Sequence, residues 1–115
     1  MSDIMLVSHR LSSSELEALA NQHFGDMIKG VIDIQTGKLA LGAELHADAE
    51  LLLLQECCQQ ETLWGFNIYI DSPFPDNIEF DSMINIRPRQ NNRSRHIEDV
   101  EIQQKIVQLL TPFLS

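Results

Sequence analysis

The change of hydrophobic period at Met27 does most to limit what this chain can fold into. From there, Ile28, Gly30, Ile32 and Ile34 alternate with Lys29, Val31 and Asp33. The stretch Gln35-Thr-Gly-Lys38 interrupts the alternation with a glycine where a tight turn needs one. The returning run then puts Leu39, Leu41, Ala43 and Leu45 on one face and Ala40, Gly42, Glu44 and His46 on the other. Two period-two runs joined by such a turn predict an antiparallel hairpin. A hairpin cannot bury its apolar face alone, so the flanking segments must supply the cover.

Those segments read as helices. Ser12 and Glu15 fit a capping box and Leu11 with Leu16 a hydrophobic staple; Leu16, Leu19, Ala20 and Phe24 follow at helical spacing, and Gly25 is placed to end the helix. Ile4-Met-Leu-Val7 reads as a short edge strand. Asp48 is expected to cap a second helix over 49–59, whose four successive leucines cover more than one side. Such a helix needs a second contact, another helix or a second subunit, so a homodimer is among the expectations.

A second alternating pair follows. Trp64, Phe66, Ile68 and Ile70 lead to an Asp71–Asn77 loop with two prolines, then Ile78, Phe80, Ile84 and Ile86 face one way while Glu79, Asp81, Met83, Asn85 and Arg87 face the other. Pro88 ends that strand, and Asp99 caps a final helix with the stripe Ile102, Ile106, Leu109 and Leu110. The predicted fold is α+β: two layers, with a largely antiparallel sheet of four to five strands and three helices in the order (β)-α-β-β-α-β-β-α. At 115 residues the chain has room for one domain, 1–115, with one modest core.

Charge is unevenly placed. Arg87, Arg89, Arg93 and Arg95 are four of the eight basic residues, within nine positions free of Asp and Glu; the rest of the chain sets four cations against all seventeen carboxylates. One positive spot on an acidic body suits an anionic small molecule, a partner's carboxylates or the protein's own acidic surface, with Glu98, Asp99 and Glu101 the nearest internal partners. The net charge of -9 argues against nucleic-acid binding and against docking on anionic lipid. No window approaches a membrane span, and Met1–Val7 lacks the basic region and cleavage site of a signal peptide. Two adjacent cysteines, Cys57 and Cys58, are expected reduced in a cytoplasmic protein, one of them filling core space.

With the apolar faces under the helices, the opposite sheet face collects Glu44, His46, Asn67, Tyr69, Asn85 and Arg87, with Gly42 and Gly65 lowering its floor and Asn91, Asn92 and Arg93 at its edge. A solvated sheet face is the plain alternative. If the strand runs on through Asp48, then Glu44 and His46 offer an acid/base pair. Metal ligation is not expected, because no third or fourth ligand stands at standard spacing. No cofactor motif is present. Asn67, Asn85, Arg87, Asn92 and Arg93 are the expected ligand-binding residues, with Arg87 and Arg93 as anion forks; Arg89 and Arg95 read as internal salt bridges. Three functions fit: a binding module for an anion, an enzyme using His46 and Glu44 with Arg87 as anion clamp, and a protein–protein adaptor.

The blocks Phe24-Gly-Asp-Met-Ile-Lys-Gly-Val-Ile-Asp-Ile34, Leu41-Gly-Ala-Glu-Leu-His-Ala-Asp48, Leu63-Trp-Gly-Phe-Asn67, Ile78–Pro88 and Asn92-Arg-Ser94 resemble the DUF5674 family of small bacterial and cyanobacterial proteins. The resemblance runs from about Leu11 to the last helix. It implies a stand-alone cytosolic protein and brings no activity or catalytic residues. Where the family carries Gly, Asn92 stands here, which suits a left-handed turn.

Overall fold

The alternating runs become one antiparallel sheet. In the computed structural model, which describes residues 4–115, the strands are β1 (Met5–Leu6), β2 (Met27–Asp33), β3 (Leu39–Ala43), β4 (Leu63–Tyr69) and β5 (Ile78–Glu79). The helices are α1 (Ser13–Asn21), α2 (His46–Gln55) and α3 (Val100–Leu114). The sheet order is β1-β3-β2-β4-β5, with every neighbouring pair antiparallel. The α+β class and the element order are those the sequence predicts, and β1 is the expected edge strand.

Local chemistry sets the ends of the elements. Ser12 Oγ accepts from the Glu15 amide at 3.1 Å and Glu15 Oε1 from the Ser12 amide at 3.0 Å, which completes the capping box. Gly25, at φ +88°, lets the chain leave α1. Asp99 caps α3 through the Glu101 amide at 2.9 Å. Beyond β2, the buried Asp33 carboxylate accepts from the Gln35 amide at 2.9 Å and from Thr36 Oγ1 at 2.8 Å, which fixes the hairpin turn.

The layering differs from the expectation of helices on one face. α1 and α3 cover Ile28, Ile32, Leu39, Leu41, Trp64, Phe66 and Ile68. α2 packs on the opposite face, where Ala49 and Leu53 meet Val31, Ala40, Ala43 and Leu63. Gly42 makes this possible. At φ +91° it is the extra residue of a bulge, because Lys29 pairs with Ala43 while Gly30 pairs with Leu41. The bulge turns Ala43 to the face of Ala40, so two methyl side chains underlie α2 and the helix seats close to the sheet.

Three further expectations are corrected. The strand through Glu44 and His46 ends at Ala43, and α2 begins at His46, so Asp48 lies in the first turn instead of at the cap. Leu45 holds the cap position with no side-chain hydrogen bond. The strand expected to reach Ile86 stops as a paired element at Glu79, because Ser82 Oγ accepts from the Ile84 amide at 3.2 Å and opens a 3-10 turn over Met83–Asn85. In the arginine loop it is Asn91, at φ +63°, that turns left-handed, not Asn92.

α2 stops at Gln55 through a Schellman arrangement. The Cys58 amide bonds to Leu53 O at 3.1 Å and the Cys57 amide to Leu54 O at 3.1 Å, with Cys57 at φ +68°. Both thiols are free; Cys58 is buried in the core under α2 and Cys57 is exposed.

Two outcomes follow from these contacts. Left-handed backbone costs a residue with a Cβ roughly 1–2 kcal/mol, partly offset by the entropy a glycine loses. Cys57→Gly should therefore raise the stability measured by chemical denaturation by up to about 1 kcal/mol, and a loss would contradict the assignment. Burial alone would raise the Asp33 carboxyl, but hydrogen bonds from Thr62, the Gln35 amide, Thr36 and Cys58 outweigh it and hold the group below its ordinary value. A depressed folded-state pKa means the stabilisation is complete above the unfolded value and is lost as pH falls through the folded one. Acid titration of Asp33→Asn should accordingly lose less stability below about pH 5 than the wild type.

Candidate functional site

On the α2 side of the sheet, the end away from the hairpin turn is left open. A cleft of about 470 Å³ lies there between the first turn of α2 and the segment running from Glu79 to Ile84. Its floor follows from strand register: Lys29 of β2 pairs with Asn67 of β4, and Asn67 pairs with Glu79 of β5. Met27 and Tyr69 pair alongside. His46, Asp81 and Arg95 complete the polar lining, and Phe24, Leu45 and Met83 form an exposed apolar rim.

The far wall depends on Gly65. A Cβ there would stand 2.6 Å from Ser82 Cβ and 3.1 Å from Ile84 Cγ1, so only glycine lets the 3-10 turn lie on β4. Asn85, fully buried, accepts from the Gly65 amide at 2.9 Å and donates to Gly65 O at 3.0 Å. Its amide takes the place of a sheet partner where β5 has ended, and a third bond, to Arg95 O at 3.1 Å, ties in the arginine loop.

Inside the cleft, His46 Nε2 lies 3.0 Å from Phe66 O. A carbonyl can only accept, so Nε2 carries the proton and Nδ1 keeps its lone pair. Burial pushes the imidazole below its ordinary pKa, with the Phe66 carbonyl opposing and the Lys29 charge lowering it further, so the ring is neutral at neutral pH. Asn67 Nδ2 donates to Glu79 Oε1 at 2.8 Å and to Asp81 O at 3.2 Å. Asn67 Oδ1 is buried without a hydrogen-bond partner. Tyr69 donates its hydroxyl to Glu79 Oε1 at 3.0 Å, and burial together with that carboxylate raises its pKa. Arg95 Nη2 pairs with Asp81 at 2.8 Å.

Of the residues singled out from sequence, His46 and Asn67 share this cleft, as does Tyr69 of the expected polar face. Glu44 is exposed and does not line it, so no acid/base pair forms with His46. Asn85 lies beneath the wall. Asn92 is buried and fully used: the two Nδ2 protons are shared among Asn85 O at 2.7 Å, Ser94 O at 3.0 Å and His96 O at 2.9 Å, and Oδ1 accepts from the Glu98 amide at 2.8 Å.

Arg87 points into the structure. Its guanidinium lies 4.7 Å from the Trp64 ring centroid and donates to Leu63 O, to Ile84 O at 3.1 Å and to Glu61 O at 3.4 Å. Glu50 of α2 lies 3.7 Å away, and both side chains are largely buried. Burial pulls the Arg87 pKa down against the opposing pull of Glu50 and Glu61. The loop's own anion site is also taken, because Glu98 Oε2 accepts from the Arg93 and Ser94 amides at 2.9 Å each and from Ser94 Oγ at 2.8 Å. Arg93 itself is exposed. Arg87 is thus withdrawn from the surface and Arg95 is paired with Asp81, while Arg89 and Arg93 are exposed, Arg89 without the expected internal salt bridge among the described residues.

Lys29, Glu79, Asp81 and the apolar rim were not singled out from sequence. The alternation did place Glu79, Asp81 and Lys29 on the face opposite the apolar residues, and the β2–β4 register sets Lys29 beside Asn67. Among the described residues no group of three or more His, Cys, Asp or Glu could hold a metal ion, and no helix is long and apolar enough to cross a membrane.

Neither the curated proteins nor the solved structures contain a match to this chain. A family model does match, over residues 5–113, that of a protein of unknown function. On that match, covering nearly the whole length, the chain belongs to the DUF5674 family.

Proposed function

We propose that this protein is a binding module for a small molecule carrying an anionic group, seated in the cleft between α2 and the Glu79–Ile84 segment. The observation that carries this reading is the unmatched buried oxygen of Asn67 beside the neutral ring of His46. A buried acceptor without a partner costs roughly 1–3 kcal/mol, a cost that a bound donor would remove. Lys29 supplies the attraction for an anion: it makes no ion pair among the described residues and rests 5.0 Å over the Phe24 ring. The anion is drawn to Lys29 and not to Arg87, whose donors are engaged within the fold. The enzyme reading has less support, because it needs Glu44 beside His46 and Arg87 in the same pocket.

Self-association is favoured by a separate observation, the exposure of Leu51 and Leu54 on α2 at 55% and 38%. Sedimentation velocity should show a dimer that Leu51→Glu dissociates, and a wild type that stays monomeric at every concentration would remove this reading.

The function is tested by a thermal-shift panel of phosphates, carboxylic acids, amines, amino acids and nucleotides. A ligand at 100 times its Kd adds about 2.7 kcal/mol, a rise of roughly 10 °C for a domain of this size. His46→Gln should reduce that rise. Arg87→Ala should instead destabilise the free protein by about 3–5 kcal/mol, because Glu50 is left buried and unpaired. A flat panel on well-folded wild type would refute the binding reading.

A further inference from the structure

The charges on the cleft floor have an order. Across three neighbouring strands, Lys29, Asn67 and Glu79 stand in one row on the same face. The ammonium of Lys29 has no carboxylate partner among the described residues, and Glu79 is held only by neutral donors, Asn67 Nδ2 and the Tyr69 hydroxyl. The other two charges of the cleft, Arg95 and Asp81, neutralise each other at 2.8 Å. One free cation and one free anion thus face the same space from opposite ends of a row two strand spacings long, on the order of 10 Å. A direct salt bridge across that row is prevented because Asn67 lies between them and already binds Glu79.

We infer that the cleft takes a short zwitterion, a free α-amino acid with an apolar side chain, and this rests on the binding reading above. Its carboxylate sits at the Lys29 end, beside the first turn of α2. That turn supports the same charge: His46 and Ala47 line the cleft, and with no side-chain cap from Leu45 the first amides of α2 have no intrahelical acceptor. The ammonium group sits at the Glu79 end, and the buried unpartnered Asn67 Oδ1 accepts one of its protons. His46 Nδ1, left as an acceptor by the bond from Nε2 to Phe66 O, offers the same group a second acceptor from the cleft lining. A longer zwitterion would leave one of its charges outside the row. The rest of the ligand lies against Phe24, Leu45 and Met83, which are 40%, 56% and 66% exposed at the mouth. These side chains give the cleft an apolar rim with no preference for a further charge.

The test is an NMR titration of the full-length labelled chain with L-leucine, N-acetyl-L-leucine and L-leucinamide, repeated with methionine and phenylalanine. Saturable shifts at the Lys29, Asn67 and Glu79 amides are expected for the free amino acids. Removing either charge from the ligand should weaken binding at least about tenfold. Lys29→Gln should weaken leucine and leave leucinamide unchanged; Glu79→Gln should weaken leucine and leave N-acetyl-leucine unchanged. Binding of N-acetyl-leucine as tight as leucine would overturn the zwitterion and leave a plain anion site, so the binding module would survive. No saturable shift with any of the three amino acids would overturn it too. In that case a hit in the thermal-shift panel would show that only the ligand class was wrong, and a flat panel would show that the cleft is not a binding site.

Discussion

Asn85 and Gly65 hold each other by two hydrogen bonds, and the open side of the molecule is arranged around that clamp. β4 pairs with β5 for only two positions and then has a bare edge at Gly65. An unpaired buried amide and carbonyl would cost a few kcal/mol together, and water cannot reach them under the 3-10 turn. One primary amide, with a donor and an acceptor, satisfies both. The clamp works only because residue 65 has no side chain, since Ser82 and Ile84 occupy the space a Cβ would take. Holding Ser82–Asn85 on β4 keeps Glu79 and Asp81 at the sheet edge and gives the cleft its second wall.

Arg87 shows why a basic run need not be a basic surface. Its guanidinium joins β4 through Leu63 O, the segment before β4 through Glu61 O, the 3-10 turn through Ile84 O and α2 through Glu50. Trp64 gives it a flat face to lie on. A planar, delocalised cation suits this task better than a lysine, because it is less strongly hydrated and its donors fan out in one plane. Arg95 pairs with Asp81, and the loop's backbone donors hold Glu98. In a chain with seventeen carboxylates, internal partners of this kind are always at hand. The cation that faces the cleft without an ion pair among the described residues is Lys29, on β2 and far in sequence from the arginine cluster.

Periodicity and capping made the element order legible. The Ser12–Glu15 box, the Asp99 cap, the Gly37 turn and the alternation of β2 and β4 each act over a few residues, so each can be read without tertiary context. Layering and register could not be read this way. Gly42 was visible as a strand glycine, but only its pairing shows that it is a bulge that moves Ala43 to the other face. That single slip put α2 on the face expected to be open. Asn67 was placed on the correct face by alternation, whereas His46 reaches that side only as the first residue of α2. Asn85 and Asn92 were placed near the site too, but a polar residue on a strand pattern does not reveal whether its partners are ligand or backbone. Asp48 was legible as a residue of a helix start, but only the fold shows that it sits in the first turn and that Leu45 takes the cap.

The cleft exists because the second face of the sheet is covered by an element too short for it. α2 has ten residues, a length of about 15 Å, and the alanines beneath it draw it down over β2 and β3. Close packing there lets the helix begin at His46, directly over β4, and its ring reaches the Phe66 carbonyl. Beyond that first turn the face carries Met27, Lys29, Asn67 and Tyr69, side chains too long or too polar to seat a helix. Extending α2 backwards over them would bury Lys29 without a counter-ion, at a cost a small core could not meet. The face is instead left half-roofed, with a helix N-terminus at one side and a carboxylate at the other. The same sequence choices that seat α2 tightly at one end thus leave a polar recess at the other.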